Sequence, residues 1–260
     1  MKIAILGAAG RMGQNLLRCA KKIEGCEIVA GVERADHPCI GAPVPDAPDG
    51  LCYIADWPTD AEAVIDFSFH ECVTANLDHA VAHGQAVVLG TTGLTDAEKQ
   101  SVADAAAKIP VVWAANMSLG VNLLLELVNR AAAVLGPGYD IEIVEAHHRL
   151  KKDAPSGTAL SLAEAAAAGR GVVLRDVACY GRENIIGERP KDEIGIHAIR
   201  GGAIVGEHTV SFIADEETVE ITHKAASREA FAMGALRAAL WLSDRPPAIY
   251  TMRHVLGFAD

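Results

Sequence analysis

Apolar residues come in short continuous runs in the first half of the chain and in alternating runs in the second. Residues 2–6, 27–32, 63–67, 86–89 and 111–114 are runs of the first kind. Short, uniformly apolar segments mark strands buried on both faces, as in a parallel sheet flanked by helices. Between them, residues 12–22 place Leu16, Leu17 and Ala20, continued by Ile23, on one helical face, and helical spacing recurs over 71–83 and 95–108. Thr95 with Glu98 has capping-box spacing and marks the start of the last of these. The Pro, Asp and Gly content rises between 35 and 60, which predicts a surface loop with room for one short strand.

From about residue 118 the pattern changes. A long helix over 120–135 ends at Gly136-Pro137-Gly138, a strand follows over 140–146, and an Ala-rich helix covers 157–168. After an irregular stretch, 194–199, 203–213 and 218–225 alternate like strands, with Asp215-Glu216 as the turn between the last two. Strands that follow one another without helices imply an antiparallel or mixed open sheet. Residues 230–242 return to an amphipathic helix able to pack back on the first domain. The fold class is therefore α/β, a Rossmann-type doubly wound parallel sheet with a second α+β domain carrying an open mixed sheet.

Gly7, Gly10 and Gly13 follow the first strand directly and open the first helix. In that position the first glycine permits a tight turn, the second lets backbone N–H groups approach a pyrophosphate, and the third allows close helix–strand packing. The second strand then delivers Glu33, about 20 residues on, where a carboxylate meets adenosine ribose hydroxyls. Glycine serving turn geometry alone is the competing explanation. Gly90-Thr91-Thr92-Gly93 ends another strand, and Ala114-Ala115-Asn116-Met117-Ser118 the next. Both lie at the carboxyl edge, where open α/β sheets bind ligands. The first is either a nicotinamide-facing loop or a plain turn; Asn116 can bond a nicotinamide amide or cap the next helix.

The second concentration of chemistry is Glu145-Ala146-His147-His148-Arg149-Leu150-Lys151-Lys152-Asp153-Ala154-Pro155-Ser156-Gly157-Thr158. Imidazoles exchange protons near neutrality, Lys and Arg bind carboxylates, and Ser156, Gly157 and Thr158 at a helix start can offer N–H groups and a hydroxyl to an anion. A small dicarboxylate suits this set. A solvated loop whose Ser156 or Thr158 merely caps the helix is the alternative. His79 and His83 are four apart, but Ala-Val-Ala between them lacks the acid of a metalloprotease helix, so they read as surface residues. Glu145 and His147 share one side of a strand, yet Arg149 and Lys151 would repel a cation; no metal is expected. His197, His208 and His223 read as paired sheet histidines.

Composition narrows the picture. The chain has 260 residues, is 50% apolar and carries a net charge of −11, which disfavours nucleic acid. No apolar stretch is expected to reach the ~18 residues of a spanning helix, and a strand begins at residue 2 with no basic leader, so the expectation is a cytoplasmic protein with no membrane partner. Cys19, Cys26, Cys39, Cys52, Cys72 and Cys179 contain no C-x-x-C pair and read as reduced, mostly buried residues.

Together, G-A-A-G-R-M-G at 7–13, E-R at 33–34, G-T-T-G at 90–93, A-A-N-M-S-L-G-V-N at 114–122 and E-A-H-H-R-L-K-K-D-A-P-S-G-T-A at 145–159 resemble the bacterial 4-hydroxy-tetrahydrodipicolinate reductase family of diaminopimelate and lysine biosynthesis. The resemblance continues through G-E-H-T at 206–209 and E-I-T-H-K-A-A-S-R at 220–228. It implies a nucleotide domain from 1–118 plus 228–260, a substrate and assembly domain over 119–227, a homotetramer built by its sheets, and NADH or NADPH as cofactor. It also implies that His147 is the acid/base, Lys151 a cationic donor, and His148, Gly157 and Thr158 contacts for substrate carboxylates, with Arg149 and Ser156 beside them. Gly7, Arg11, Met12, Glu33, Arg34, Gly90, Thr92, Ala115 and Met117 would line the cofactor. Leu150 stands where relatives often have another histidine, so that position is not needed for proton transfer here. Phe69 occupies a place where some relatives carry an arginine near the adenosine phosphate, which argues against strict NADPH preference. A dehydrogenase acting on an amino-acid semialdehyde and a nucleotide-sensing protein without turnover are the other readings.

Overall fold

The computed structural model describes residues 1–47 and 50–258. In chain order the strands are β1 (Lys2–Leu6), β2 (Glu27–Val32), β3 (Tyr53–Ile54), β4 (Ala63–Asp66), β5 (Ala86–Leu89), β6 (Pro110–Trp113), β7 (Asp140–His147), β8 (Ala178–Tyr180), β9 (Ile194–Arg200), β10 (Gly206–Ile213), β11 (Thr218–Ala225) and β12 (Ala248–Tyr250). The helices are α1 (Arg11–Ala20), α2 (Val73–Ala82), α3 (Asp96–Ala106), α4 (Leu119–Leu135), α5 (Gly157–Arg170), α6 (Leu174–Val177), α7 (Glu229–Trp241) and α8 (Met252–Val255). They form two compact units, Met1–Leu119 with Arg228–Asp260, and Gly120–Ser227.

The first unit holds a seven-stranded sheet in the order β12-β6-β5-β4-β1-β2-β3, every pairing parallel. Alternate side chains of each strand go to opposite faces, so continuous apolar runs feed two cores. Ile3, Ile5, Ile65 and Val88 meet Leu16 and Leu17 of α1 and Ala235 and Leu236 of α7. Val87, Leu89 and Val111 on the other face meet Leu77 of α2 and Val102 of α3. The expected capping box is present, with Thr95 Oγ1 accepting from Glu98 N and Glu98 Oε2 accepting from Thr95 N. The order in which strands are added reverses between β1 and β4, the switch point at whose carboxyl ends open α/β sheets form a crevice.

The second unit carries a five-stranded sheet, β11-β10-β7-β9-β8, with β10 antiparallel to both neighbours and β9 parallel to both of its own. Leu124, Val128 and Ala132 of α4 and Leu162 and Ala166 of α5 cover Ile141, Ile143, Ile196, Val210 and Phe212 on one face. The two helices approach closely: a Cβ at Gly169 would lie 2.3 Å from Asn129 O. On the opposite sheet face Glu142 accepts from Arg182 (2.6 Å), Arg189 (3.0 Å) and His197 (2.7 Å).

Four sequence expectations change. Residues 119–138 do meet the length and composition of a spanning helix, with mean hydropathy 1.4, because Glu126 and Arg130 are the only charges among Leu, Val and Ala; the Leu124, Val128 and Ala132 stripe nevertheless serves as half of a core. Only Cys19 is buried, and the other five free cysteines are partly exposed. His79 is not a plain surface residue, since its ring lies 4.1 Å from that of Trp57 and 4.3 Å from that of His83. Two short strands, β8 and β12, and two short helices, α6 and α8, occupy segments without a readable period.

Candidate active site

In the first unit a cavity of about 680 Å³ opens at the carboxyl ends of β1, β2 and β4, with Gly7, Gly10, Arg11, Met12, Glu33 and Arg34 among its walls. Gly7 has φ +70°, and a Cβ there would lie 3.0 Å from Phe67 O. Gly10 precedes α1 without any side-chain cap, and the first turn of α1 carries no acid, so its N–H groups face outward for an anion. Gly13 is one turn further in, where a Cβ would meet Gly7 O at 2.4 Å and Ala8 Cα at 2.5 Å. Glu33 Oε1 accepts from Ala9 N at 2.9 Å, which ties the end of β2 to the glycine turn. Arg34 is exposed, with Nε 3.6 Å from Asp36 Oδ1. The fit to a dinucleotide is good: a glycine cradle any Cβ would fill, a helix start without acid, and an acid at the ribose end of one cavity.

Gly90, Thr91, Thr92, Ala115, Asn116 and Met117 lie outside this cavity's walls, at the ends of β5 and β6. The Thr91 hydroxyl is buried against Asp66, 3.2 Å from Oδ1, and a Cβ on Gly90 would strike the Phe67 ring at 2.3 Å. Asn116 Oδ1 accepts from Ser118 N at 2.9 Å in a turn just before α4, and the Met117 side chain is buried. Thr92 and Ala115 are exposed. Sequence reasoning missed His37, Trp57, Ser68 and Asn76, which line the cavity. Ser68 was within reach, because Asp66-Phe67-Ser68 ends a strand beside the glycine turn; Asp66 holds Ser68 and Asn76 there at 2.6 and 2.9 Å.

In the second unit β7 runs its last residues, Glu145 and His147, onto the helix-covered face. Glu145 is wholly buried and accepts from His147 Nδ1 at 2.6 Å, from Ser156 N at 2.9 Å, and from both terminal nitrogens of Arg200 at 2.7 Å. Burial pushes its carboxyl up, but the bonds from Arg200, His147 and Ser156 outweigh this and hold it below the ordinary glutamate range. Arg200 also donates to Asp153 O at 2.7 Å, anchoring the basic loop, and Lys151 Nζ lies 2.9 Å from Asp153 Oδ2. Gly201 N donates to His147 O and Arg149 N to Gly202 O, so the loop is laced to the β9–β10 turn. Arg149 is exposed and His148 half-buried, with its Nδ1 lacking a partner among the described residues.

Ser156 caps α5, its hydroxyl accepting from Ala159 N at 3.2 Å and lying 3.1 Å from His208 Nε2. With its N–H on Glu145 as well, Ser156 faces inward, and exposed Gly157 with half-buried Thr158 forms the accessible part of the helix start. His208 stands opposite His223 in the β10–β11 pairing, and its ring is 5.2 Å from that of His147. Burial, then the neighbouring His147, pushes His208 down to about 4. On the open face, burial pushes Glu142 up, but Arg182, His197 and Arg189 bring it down to about 2.

Acid should therefore unfold the protein in two windows. His208 is neutral when folded, so the unfolded chain takes up a proton first, and stability falls as pH drops from about 6.5 to about 4, by on the order of 3 kcal/mol. Glu142 is stabilising above its unfolded value of 4.5, and its contribution is lost as pH falls from there toward about 2. Urea midpoints measured against pH should show the upper window flattened in His208→Gln and retained in Arg182→Gln, which flattens the lower one. An unchanged slope in His208→Gln removes this account.

Among the described residues no group of three or more His, Cys, Asp or Glu is arranged to hold a metal ion. The arrangement thus offers a nucleotide cradle in one unit and, in the other, an oriented imidazole, a lysine and an open helix start. Both halves of the chain match known proteins. Residues 1–117 match the family model described as dihydrodipicolinate reductase, N-terminus, and residues 120–256 the model for its C-terminus. A 4-hydroxy-tetrahydrodipicolinate reductase of Anaeromyxobacter dehalogenans is 48% identical, with 98% of this chain and 97% of the relative covered. Another from Magnetococcus marinus is 47% identical, with 99% of each covered. A dipicolinate-bound dihydrodipicolinate reductase structure from Paenisporosarcina superposes with TM-score 0.77 at 23% identity, covering 96% of this chain and 97% of that one, a likeness of fold. With both halves matched in order and nearly half of all positions shared with curated relatives, the chain belongs to the dihydrodipicolinate reductase family.

Proposed function

We propose that this protein is an oxidoreductase that reduces 4-hydroxy-tetrahydrodipicolinate to tetrahydrodipicolinate with NADH or NADPH, in diaminopimelate and lysine biosynthesis. The observation that carries the reading is His147, locked by a buried glutamate beside Lys151 and the accessible start of α5, in a chain whose overall charge is negative. That local set suits a cyclic dicarboxylate in an acidic protein. Arg149, Lys151, His148, Gly157 and Thr158 hold the two carboxylates, the helix start contributing N–H groups and the positive end of its dipole. Held with its pyrophosphate at the Gly7–Gly13 turn, a reduced nicotinamide dinucleotide would supply the hydride for the unsaturated ring left after loss of water from the 4-hydroxy precursor. His147, or a water it orients, protonates the resulting enamine, and Lys151 stabilises charge on the ring nitrogen or a carboxylate.

The test is to condense aspartate semialdehyde with pyruvate in situ and follow consumption of each dihydronicotinamide separately. Substrate-dependent oxidation supports the reading; nucleotide binding without turnover rejects it. Pyridine-2,6-dicarboxylate should compete with substrate and not with nucleotide.

Both nucleotides serve. Glu33 keeps Oε2 for a ribose hydroxyl while Oε1 holds Ala9 N, and this carboxylate repels a 2′-phosphate; the adjacent Arg34 offsets the repulsion by leaving Asp36 for the phosphate. Arg34→Ala should therefore weaken NADPH by about 1.5 to 3 kcal/mol and leave NADH nearly unchanged, and added salt should mimic the change. Equal losses for both nucleotides, measured as Michaelis constants at two salt concentrations, would show that Arg34 does not read the 2′ position.

The protein works as a cytoplasmic homotetramer assembled through the open face of the second sheet. Val144, Ile199 and Ile213, each at least 36% exposed, are the apolar residues that support burial of that face. Light scattering gives the assembly directly.

A further inference from the structure

We infer that Glu145, clamped by Arg200, is a positioning residue that fixes His147 with its proton on Nδ1, so that Nε2 alone exchanges protons, and that Gly206 keeps the Nε2 edge clear. The inference rests on the reading of His147 as the acid/base and extends it to the groups that make one ring nitrogen different from the other.

A carboxylate offers about four lone-pair positions, and all of Glu145's are taken. Oε1 receives Ser156 N at 2.9 Å and Arg200 Nη2 at 2.7 Å, and Oε2 receives His147 Nδ1 at 2.6 Å and Arg200 Nη1 at 2.7 Å. Arginine and a backbone N–H can only donate, so three of the four contacts are fixed; with Arg200 bonded to both oxygens Glu145 is held as the carboxylate, which can only accept at the fourth, and the hydrogen there belongs to His147 Nδ1. Glu145 has no exposed surface, so no water competes for it. Arg200 balances its charge and, through Asp153 O, ties it to the loop that bears Lys151. Glu145 therefore orients the ring without serving as a proton store.

The other nitrogen has a different setting. Gly206 begins β10 beside His147, and a Cβ there would lie 3.0 Å from Nε2 and 3.5 Å from Cδ2. Any side chain at 206 would press on the edge that must exchange the proton. The neighbouring His208 does not compete, because burial keeps its ring neutral and its Nε2 already pairs with the Ser156 hydroxyl at 3.1 Å.

Histidine-selective 15N labelling of the full-length protein, read by long-range proton–nitrogen correlation at a pH where the ring is neutral, reports the tautomer. His147→Gln assigns the signal. The expected spectrum shows His147 protonated on Nδ1 only; protonation on Nε2, or fast exchange between the two, overturns the inference without any activity measurement. Glu145→Gln, whose amide can turn its NH2 toward Nδ1, should admit the second tautomer. It should lower kcat by at least about 10-fold, bounded by the ~10² to 10⁴-fold that general acid–base catalysis contributes, with substrate KM and nucleotide affinity held. Gly206→Ala should lower kcat while the Nδ1–H tautomer persists, which separates access to Nε2 from control of the proton, and it serves if Glu145→Gln does not fold. A wild-type kcat and a single tautomer in Glu145→Gln overturn the positioning role. Wild-type turnover in His147→Gln instead overturns the acid/base reading and everything built on it.

Discussion

Replacing His147 by Gln, or Lys151 by Ala, is expected to lower kcat by ~10² to 10³-fold, the loss typical of removing one group aimed at charge or a proton in the transition state. Neither change should move NADH affinity by more than about two-fold, because the nucleotide cavity is built from β1, β2, β4 and α1 and neither residue belongs to it. The two variants should differ in KM. Lys151 rests against Asp153 at 2.9 Å, an ion pair with an exposed acid that contributes little, so its charge is available to a carboxylate and its loss should also raise substrate KM. His147 is held from behind by Glu145 and its loss should fall mainly on kcat. Steady-state kinetics with a separate fluorescence titration of NADH measures all three quantities; unchanged turnover in both variants removes the site assignment.

Most of the framework was legible because it obeys short-range rules. β1, β4 and β5 are apolar at nearly every position since both faces are covered, and their four or five residues, bounded by turn signals, suit a buried strand better than a helix. The glycine turn and the Thr95–Glu98 cap are local devices, each closed within a few residues. What escaped the sequence is whatever depends on distant partners or on very short segments. β8 and β12 have three residues each and exist because β9 and β6 offer an open edge; three residues carry no period. Arg200 reaches Glu145 from 55 residues away, and no spacing announces that a β9 arginine completes a β7 carboxylate. Asn116 and Ser156 each accept from a nearby backbone N–H, a contact whose partner lies within three residues in the sequence. The Thr91 hydroxyl instead reaches a distant residue, the buried Asp66 that shapes the β4 end.

Gly13→Ala is expected to damage both the fold and nucleotide binding, and Gly10→Ala binding alone. At Gly13 the added methyl meets Gly7 O at 2.4 Å and Ala8 Cα and O at 2.5 Å, all backbone atoms of a turn that Gly7 N–Val32 O and Ala9 N–Glu33 bonds hold in place. No rotamer relieves such a contact, so α1 must move off the turn. Overpacking of this kind costs about 1 to 3 kcal/mol, and the same displacement carries the first-turn N–H groups away from the pyrophosphate. Gly10 is different: its φ of −69° suits any residue, and its Cβ would meet only Gly7 O, at 3.1 Å. That methyl would project into the space the phosphates need without disturbing the helix. A thermal melt should thus fall by several degrees for Gly13→Ala, at about 2 to 4 °C per kcal/mol, and stay near wild type for Gly10→Ala. NADH titration should show both weakened by at least about 10-fold, since N–H approach to the pyrophosphate is what the two glycines share. Undiminished affinity in Gly10→Ala would place the pyrophosphate elsewhere, and an unshifted melt in Gly13→Ala would mean that α1 can yield to the methyl without cost.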